Sequence, residues 1–206
     1  LESIHPDHLN QAYEQFVQQV SQQLHGNLLE TYQSLADRKL GLSPKDVALR
    51  SFKNALLPYL YRNDEATGAQ LFYKHFTESS NMTDRLATLT RLSKASTPEY
   101  EKAIAAFRDE WKDDALVLNK VFMVTAVSKA ENAFAKIKER YESPDFDKTN
   151  PNNIYALVYY FAQHNWARFH STDGETYDWF AKLTMEVDSR NPQVASRLGS
   201  CFNNWK

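Results

Sequence analysis

The sequence predicts an all-α protein of about ten helices, because apolar residues recur along most of the chain at intervals of three and four. The chain has 206 residues, of which 42% are hydrophobic and only 5 are glycine. Scarce glycine disfavours a β architecture rich in turns and favours helices. The third observation is a repeated helix start, in which Asn is followed by Pro, at residues 150–151 and 191–192.

The N-terminal part is predicted to begin with two helices. An apolar stripe runs from Leu9 to Leu24 at helical spacing, and Gly26 stands where a C-terminal stop belongs. A second helix is expected over residues 27–39, ending near Gly41. This interpretation depends on the two glycines, since glycine commonly follows the last turn of a helix.

The next helices are marked by caps and prolines. Ser43 and Pro44 have the pattern of an N-cap followed by proline in the first turn, which predicts a helix to about residue 62. Pro58 lies inside that helix and should kink it or weaken its hydrogen bonding. Further helices are predicted over 65–78 and 83–95, the second with Asn81 or Thr83 as its cap.

The second half is predicted to continue in the same way. Thr97 and Pro98 open a helix, and the apolar run 115–127 is a buried helix by its length and neighbours, although its three valines also suit a strand. Helices are also expected over 130–142, 151–163 and 175–188. The two Asn-Pro starts are roughly 40 residues apart, which is typical of HEAT- or armadillo-like stacking of antiparallel helix pairs. No linker divides residues 1–206, so we expect a single domain.

The last predicted helix carries an apolar stripe that needs a packing partner. Leu198, Cys201, Phe202 and Trp205 fall on one face at helical spacing. Either the stripe packs backwards on the preceding helix pair, or further helices follow in the natural chain. A stacked array requires a terminal unit with a polar outer face, and none follows this stripe. We therefore expect the second alternative, a segment truncated at its C-terminal end.

Composition excludes several functional classes. The formal net charge is −2, which gives no electrostatic reason to expect nucleic acid or an anionic membrane as a partner. The longest apolar run, 115–127, is too short to span a bilayer and contains Asn119 and Lys120. The lone cysteine, Cys201, excludes an internal disulfide and fits a reducing compartment, so we expect a cytoplasmic protein.

Catalytic and metal-binding patterns are weak. His5 and His8 are three residues apart, but they lie in a polar helix entrance, and no His-Glu-x-x-His motif or cysteine pair occurs in the sequence. Cys201 lies in an apolar stripe, so core packing is a better interpretation than a reactive thiolate. We predict no catalytic and no metal-ligating residue in this chain.

One residue pair is a candidate for binding a substrate. Gln193 and Arg197 are four residues apart and therefore share one face of a helix. Gln193 lies in the first turn, where the positive helix end favours carboxylates and carbonyl oxygens, and Arg197 adds a forked cation. This face could hold a peptide backbone or an acidic terminus. From the residues alone, a surface salt bridge of Arg197 is the favoured alternative.

Four stretches resemble a known family: "KHFTESSNMTDRLATL" (74–89), "FRDEWKDDALVLNKVFMVTA" (107–126), "FHSTDGETY" (169–177) and "DSRNPQVASRL" (188–198). They resemble the C-terminal helical domain of bacterial aminopeptidase N, a zinc-dependent exopeptidase, and the resemblance runs along the whole chain. It implies a right-handed superhelical helix array. It also implies that the zinc, its His-Glu-x-x-His motif and the catalytic residues lie in an earlier domain, so the isolated segment is expected to be inactive.

The resemblance also implies roles and partners. The domain closes over the catalytic domain of the same polypeptide and lines the cavity for peptide substrates, with Gln193 bordering the pocket for the first side chain and Arg197 pointing into the cavity. Relatives carry arginines early in the helix after Asn-Pro-Asn, where this chain has Asn153 and Tyr155, so a further cavity charge is not carried over. The alternative function is a free-standing helical-repeat scaffold that binds a protein in its concave face.

Overall fold

The computed structural model describes residues 5–36, 38–63, 65–94 and 97–203. These residues form helices and no strand, which confirms the predicted all-α class. The α-helices are α1 Pro6–Ala36, α2 Pro44–Asn63, α3 Glu65–Glu78, α4 Met82–Leu92, α5 Pro98–Trp111, α6 Ala115–Ala126, α7 Ala133–Tyr141, α8 Pro151–Ile154, α9 Tyr160–His164, α10 Trp166–Phe169, α11 Glu175–Asp188 and α12 Pro192–Gly199. A π-helical segment, Tyr155–Tyr159, joins α8 to α9, and a 3₁₀ turn, Ser200–Phe202, follows α12.

The predicted cap-and-proline starts are confirmed. Asn150 and Asn191 cap α8 and α12 by accepting hydrogen bonds from the backbone N–H groups of Asn152 and Val194. The Ser43 hydroxyl accepts from the backbone of Asp46 at 3.2 Å at the start of α2. The stretch 115–127 is helical over Ala115–Ala126, so the strand alternative is wrong.

The predicted stop at Gly26 is wrong. Residues predicted as two helices form one, α1, of 31 residues, and Gly26 lies inside it. Glycine inside a helix costs only about 1 kcal/mol relative to alanine. Side chains buried on both sides of it, Val17 and Ser21 before and Tyr32 and Leu35 after, offset that cost by packing.

The contacts of the chain divide it into two compact units. The N-terminal unit comprises the described residues of Leu9–Leu92 and Ser96–Ala105, and the C-terminal unit comprises those of Leu1–His8, Ser93–Ala95 and Ala106–Lys206. Each unit has a buried core of its own. The expectation that 1–206 form a single domain stays a prediction.

The core of the N-terminal unit lies between α2, α3 and α4, which contact one another pairwise. Leu57, Phe72 and Leu89 are completely buried there. The rings of Tyr61 and Phe72 stack with centroids 5.7 Å apart. Gly68 allows α3 to approach α2 closely, because a Cβ at this position would lie 2.9 Å from the Cα of Tyr61.

The core of the C-terminal unit is largely aromatic. Phe161, Phe169 and Phe180 are completely buried, and the ring of Phe169 meets those of Phe161 and Phe180 edge to face at 5.7 and 5.1 Å. Such pairs add to the free energy gained from apolar burial. The surrounding cluster joins residues of α6, α7, the π-helical segment, α11 and α12.

The last helix differs from its prediction. α12 ends at Gly199 and a 3₁₀ turn follows, instead of one helix running to the end of the sequence. Leu198 and Cys201 are buried in the aromatic core, and Phe202 packs against it. For these residues the stripe packs backwards on preceding helices, as the first of the two alternatives predicts. Trp205 lies outside the described residues.

No helix within the described part of the chain is both long and apolar enough to cross a membrane.

Candidate functional site

The exposed face of α12 presents both predicted site residues. The Asn191 cap and Pro192 fix the start of the helix, so Gln193 falls in its first turn. The opposite face, with Val194, Ala195 and Leu198, is buried in the core. Gln193 and Arg197 are therefore held on the exposed side, one turn apart.

Two tyrosine rings of the π-helical segment hold the guanidinium of Arg197. Its Cζ lies 5.0 Å from the ring centroid of Tyr155 and 4.9 Å from that of Tyr159. The two rings meet edge to face at 6.0 Å. Cation–π contacts of this kind contribute about 0.5–1 kcal/mol each at exposed sites. The contacts limit the rotamers of Arg197 and leave its N–H groups available to a ligand.

The helix that carries these tyrosines is continuous from Pro151 to His164, and its middle winds as a π-helix. The cap at Asn150 fixes its start, with the Asn152 N–H donating to the Asn150 side chain at 2.9 Å. Ala156, Leu157 and Val158 are buried in the core, which leaves Tyr155 and Tyr159 half-buried beside α12. π-Turns inside α-helices are found often at functional sites.

Asn153 is buried and has a structural role. Its side chain is 5% exposed, its oxygen accepts from the backbone N–H of Asp147 at 2.8 Å, and its amide donates to Asn119 at 2.9 Å. These bonds tie the helix start to the preceding loop and to α6. The oxygen and the nitrogen of the Asn153 side-chain amide are both hydrogen-bonded within the protein, so Asn153 presents no group to a ligand. Tyr155, by contrast, contacts Arg197 directly.

The salt bridge that the residues alone favour for Arg197 is absent from the part of the chain that the structure describes. Arg190, by contrast, pairs with Glu186 one turn earlier on α11. Within the described residues, Arg197 thus keeps an uncompensated charge at the surface. This arrangement suits a ligand that brings the acceptor, such as a carbonyl oxygen or a carboxylate.

The weaker candidates remain separate from this site. His5 and His8 are exposed, with ring centroids 5.2 Å apart, and no group of three His, Cys, Asp or Glu side chains among the described residues could hold a metal ion. Cys201 accepts a hydrogen bond from Gln163 at 3.4 Å. Burial raises the pKa of the Cys201 thiol despite that bond and the nearby charge of Arg197. These features fit the predicted packing role of Cys201.

A family model described as "Domain of unknown function (DUF3458_C) ARM repeats" matches residues 1–206. The chain belongs to this ARM-repeat family. Armadillo repeats are stacked helix units, so the match agrees with the repeat class that the sequence predicts.

Relatives of this ARM-repeat domain include aminopeptidases N. The chain is 32% identical over 197 residues to aminopeptidase N of Haemophilus influenzae, covering 95% of the chain and 22% of the relative. It is 32% identical over 195 residues to aminopeptidase N of Escherichia coli, with the same two coverages. The chain therefore spans about a fifth of the length of these relatives, and it resembles one domain of them.

A solved structure gives a similar result. The crystal structure of Legionella pneumophila aminopeptidase A in complex with aspartic acid matches the ARM-repeat domain with a TM-score of 0.86 and 25% sequence identity. The match covers 96% of this chain and 24% of that one.

The N-terminal unit of the ARM-repeat domain contains a polar cluster that sequence reasoning missed. Asp84, 4% exposed, accepts hydrogen bonds from Lys53 at 2.9 Å, Asn54 at 2.8 Å and Asn81 at 3.0 Å. Burial alone would raise the pKa of Asp84, but the hydrogen bonds from Asn81, Lys53 and Asn54 hold it below its ordinary value. Asp84 is therefore an ionised carboxylate at neutral pH.

Asn81 gave the signal for this cluster. The sequence predicts Asn81 or Thr83 as the cap of the helix over 83–95, and the side-chain oxygen of Asn81 does accept from the backbone N–H of Asp84 at 2.9 Å. A cap residue followed three positions later by an acidic residue is a local pattern that can be recognised in the sequence. Lys53 lies 31 residues earlier in the chain, and no local periodicity could have linked it to Asp84.

Proposed function

We propose that this chain is the helical C-terminal domain of a zinc-dependent aminopeptidase that removes N-terminal residues from peptides, and that the face with Gln193 and Arg197 lines its substrate cavity. The similarity to aminopeptidases N supports the parent activity. The observation that carries the site is Arg197, an exposed guanidinium that two tyrosines hold and that pairs with no acid among the described residues.

The proposed face binds peptide through backbone groups. The Gln193 amide has donors and an acceptor, so it can pair with both the N–H and the C=O of a peptide unit. The Arg197 guanidinium donates to a carbonyl oxygen or to a terminal carboxylate. The tyrosines reduce the entropy lost on binding because the guanidinium is already placed.

The zinc belongs elsewhere in the proposed parent. No group of three His, Cys, Asp or Glu side chains among the described residues could hold it. In the parent, zinc would supply an activated water. This domain would contribute cavity wall, control of substrate access and packing against the catalytic domain of the same polypeptide. The proposed parent is cytoplasmic, in keeping with a single buried cysteine.

The parent activity is tested by assaying the full-length gene product for release of alanine or arginine from amide substrates, with and without a zinc chelator. We expect activity that the chelator abolishes. A full-length product with no aminopeptidase activity would overturn the proposal and favour the alternative, a helical-repeat scaffold that binds a protein in its concave face.

The site is tested separately with Arg197→Ala in the full-length protein. Loss of one charge-assisted contact should raise KM for peptides about tenfold and leave the thermal midpoint nearly unchanged. Arg190→Ala is the matched control, because Arg190 is also exposed but already pairs with Glu186. Equal kinetics for Arg197→Ala and the control would contradict the cavity role, even in an active aminopeptidase.

A further inference from the structure

The N-terminal unit contains a cavity of about 860 Å³ beside the buried Asp84 cluster. The end of α1, the first half of α2, α3 and the loop before α4 form its walls. Binding sites for small organic molecules usually have volumes of roughly 300–1,000 Å³. The cavity is therefore large enough for such a molecule, and it exceeds what one water or one inorganic ion would fill.

The described residues that line this cavity carry an excess of positive charge. Five are basic and two are acidic, in a chain whose formal net charge is −2. The basic residues are Arg38, Lys39, Arg50, Lys53 and Lys74, and the acidic residues are Glu78 and Asp84. Lys53 pairs with Asp84 at 2.9 Å and Lys74 lies 3.9 Å from Glu78. Arg38 and Lys39 are exposed at the mouth, so the local field attracts anions.

Arg50 is a buried cation whose Nε forms an ion pair with Asp84 but no hydrogen bond among the described residues. Its Nη2 donates to the carbonyl oxygens of Leu40 at 2.7 Å and Gly41 at 3.1 Å, which fixes the guanidinium at the cavity wall. Its Nε is buried and has no hydrogen-bond partner; the nearest carboxylate oxygen, from Asp84, is 3.8 Å away. The Arg50 guanidinium therefore stays as a fixed positive charge at the cavity wall, with no described carboxylate within hydrogen-bond distance of its Nε.

His75 supplies a second donor of the same kind. Its Nδ1 lies 2.6 Å from the Tyr32 hydroxyl, while its buried Nε2 has no hydrogen-bond partner and lies 4.0 Å from the Asp84 carboxylate. The carboxylate favours the tautomer with the proton on Nε2, and Tyr32 then donates to Nδ1. Arg50 and His75 therefore each place an N–H group within 4.0 Å of the Asp84 carboxylate at the cavity wall.

We infer that this cavity is a binding site for a small organic anion with two or three negative charges, borne on carboxylate or phosphate groups. Arg38 and Lys39 at the mouth and the fixed guanidinium of Arg50 at the wall balance its charge. Lys53 and Asn81 hold the Asp84 carboxylate in place by hydrogen bonds. The size of the cavity and its excess of three basic residues set the size and charge of the ligand.

The test is calorimetric titration of the full-length protein with pyrophosphate and, separately, with citrate, at constant ionic strength. We expect saturable binding of at least one of them with Kd of roughly millimolar or below. Binding of pyrophosphate alone identifies phosphate as the recognised group, binding of citrate alone identifies carboxylate, and both results support an oxyanion site. Absence of saturable binding by either would overturn it.

Variants tie the binding to the cavity. Arg38→Gln with Lys39→Gln should weaken binding about tenfold or more, because both cations contribute to the field at the mouth. Both side chains are exposed, so this variant is expected to fold, whereas Arg50→Gln removes buried hydrogen bonds. Lys102→Gln, an exposed lysine on α5 that does not line the cavity, is the matched control.

Unchanged binding in the double variant would overturn the inference. Anions bound to a metal elsewhere in the protein would still bind after these two substitutions, and they would account for such a result. The titration needs no peptidase assay. The anion site and the proposed aminopeptidase function can therefore fail independently.

Discussion

At the scale of single residues, Arg197 shows how a charge can be positioned without an acidic partner among the described residues. A salt bridge would hold the guanidinium but occupy the donors that a substrate needs. The rings of Tyr155 and Tyr159 hold it through the π face instead and leave the N–H groups unused. The two tyrosines are therefore positioning residues in the proposed site.

We predict that replacing both rings weakens peptide binding without any change in charge. Tyr155→Leu with Tyr159→Leu removes two cation–π contacts of about 0.5–1 kcal/mol each, so KM should rise roughly five- to tenfold, at most as much as on loss of Arg197 itself, while kcat changes little. Steady-state kinetics of the full-length enzyme with a peptide substrate measures both values.

The control for this pair is Tyr160→Leu. Tyr160 lies on the same continuous helix, but its ring packs on His164 at 4.1 Å and makes no contact with Arg197 among those described. A KM for the double variant no higher than that of this control would show that the rings do not position Arg197. Tyr155→Phe with Tyr159→Phe keeps both rings, so its KM should stay close to the wild-type value.

At the scale of elements, Gly26 and Gly68, which lie inside α1 and α3, have opposite surroundings. A Cβ at Gly26 would meet open space, while a Cβ at Gly68 would lie 2.9 Å from the backbone of Tyr61 on α2. The first glycine only weakens its helix, and the second allows two helices to pack closely.

We predict that these glycines respond oppositely to alanine. Gly26→Ala should stabilise the protein by about 0.5–1 kcal/mol, because alanine lowers the entropy of the unfolded chain and costs nothing in space. Gly68→Ala should destabilise it by about 1–3 kcal/mol, because α2 and α3 must separate.

Thermal unfolding of the two alanine variants beside the wild type measures both effects, and each variant controls for the other. A shift of the same sign in both would contradict the close approach of α3 to α2 at Gly68.

The sequence predicts helices well where a start is chemically marked. Ser43-Pro44 and Asn191-Pro192 each combine a side-chain acceptor with a ring that suits the first turn, and both helices begin there. The predicted stop at Gly26 is wrong because burial of residues on either side, not the glycine itself, decides whether α1 continues.

Contacts between distant parts of the chain could not be predicted in this way. The Gln193–Arg197 pair follows from local spacing, but Tyr155 lies 42 positions before Arg197 and meets it only because α12 packs beside the π-helical segment. The cluster around Asp84 likewise depends on the packing of α2, α3 and α4. No local periodicity contains such pairings.

At the scale of the whole molecule, the two units differ in how they are stabilised. The C-terminal unit depends on an aromatic core, while the N-terminal unit combines apolar packing with a buried charge cluster. Buried ionisable groups make stability depend on pH, so the N-terminal unit should be the more sensitive to acid.

We predict that this sensitivity arises largely from His75. Its burial, with the charge of Lys53, lowers its pKa from 6.5 to about 4, although Asp84 opposes the shift. Below pH 6.5 the unfolded chain takes up a proton that the folded protein does not, so stability is full above pH 6.5 and falls as the pH drops towards 4. The loss amounts to about 3 kcal/mol.

Thermal midpoints between pH 7 and 4 for wild type and His75→Asn test this prediction. Asn keeps a polar side chain but cannot titrate, so the variant should lose less stability across this range. Asp84, whose pKa lies below its ordinary value, adds a loss only at lower pH. Parallel pH profiles for the two proteins would show that His75 is not the group responsible.

The burial of Cys201 has a practical consequence for labelling. It is the single cysteine in the 206 residues, and its thiol is both shielded and held in the protonated form, which reacts slowly with maleimides and iodoacetamides. A cysteine introduced at Lys102 or Arg190 would then be the one readily alkylated thiol of this chain. Spectroscopic probes could be attached there for distance measurements without removing the native cysteine.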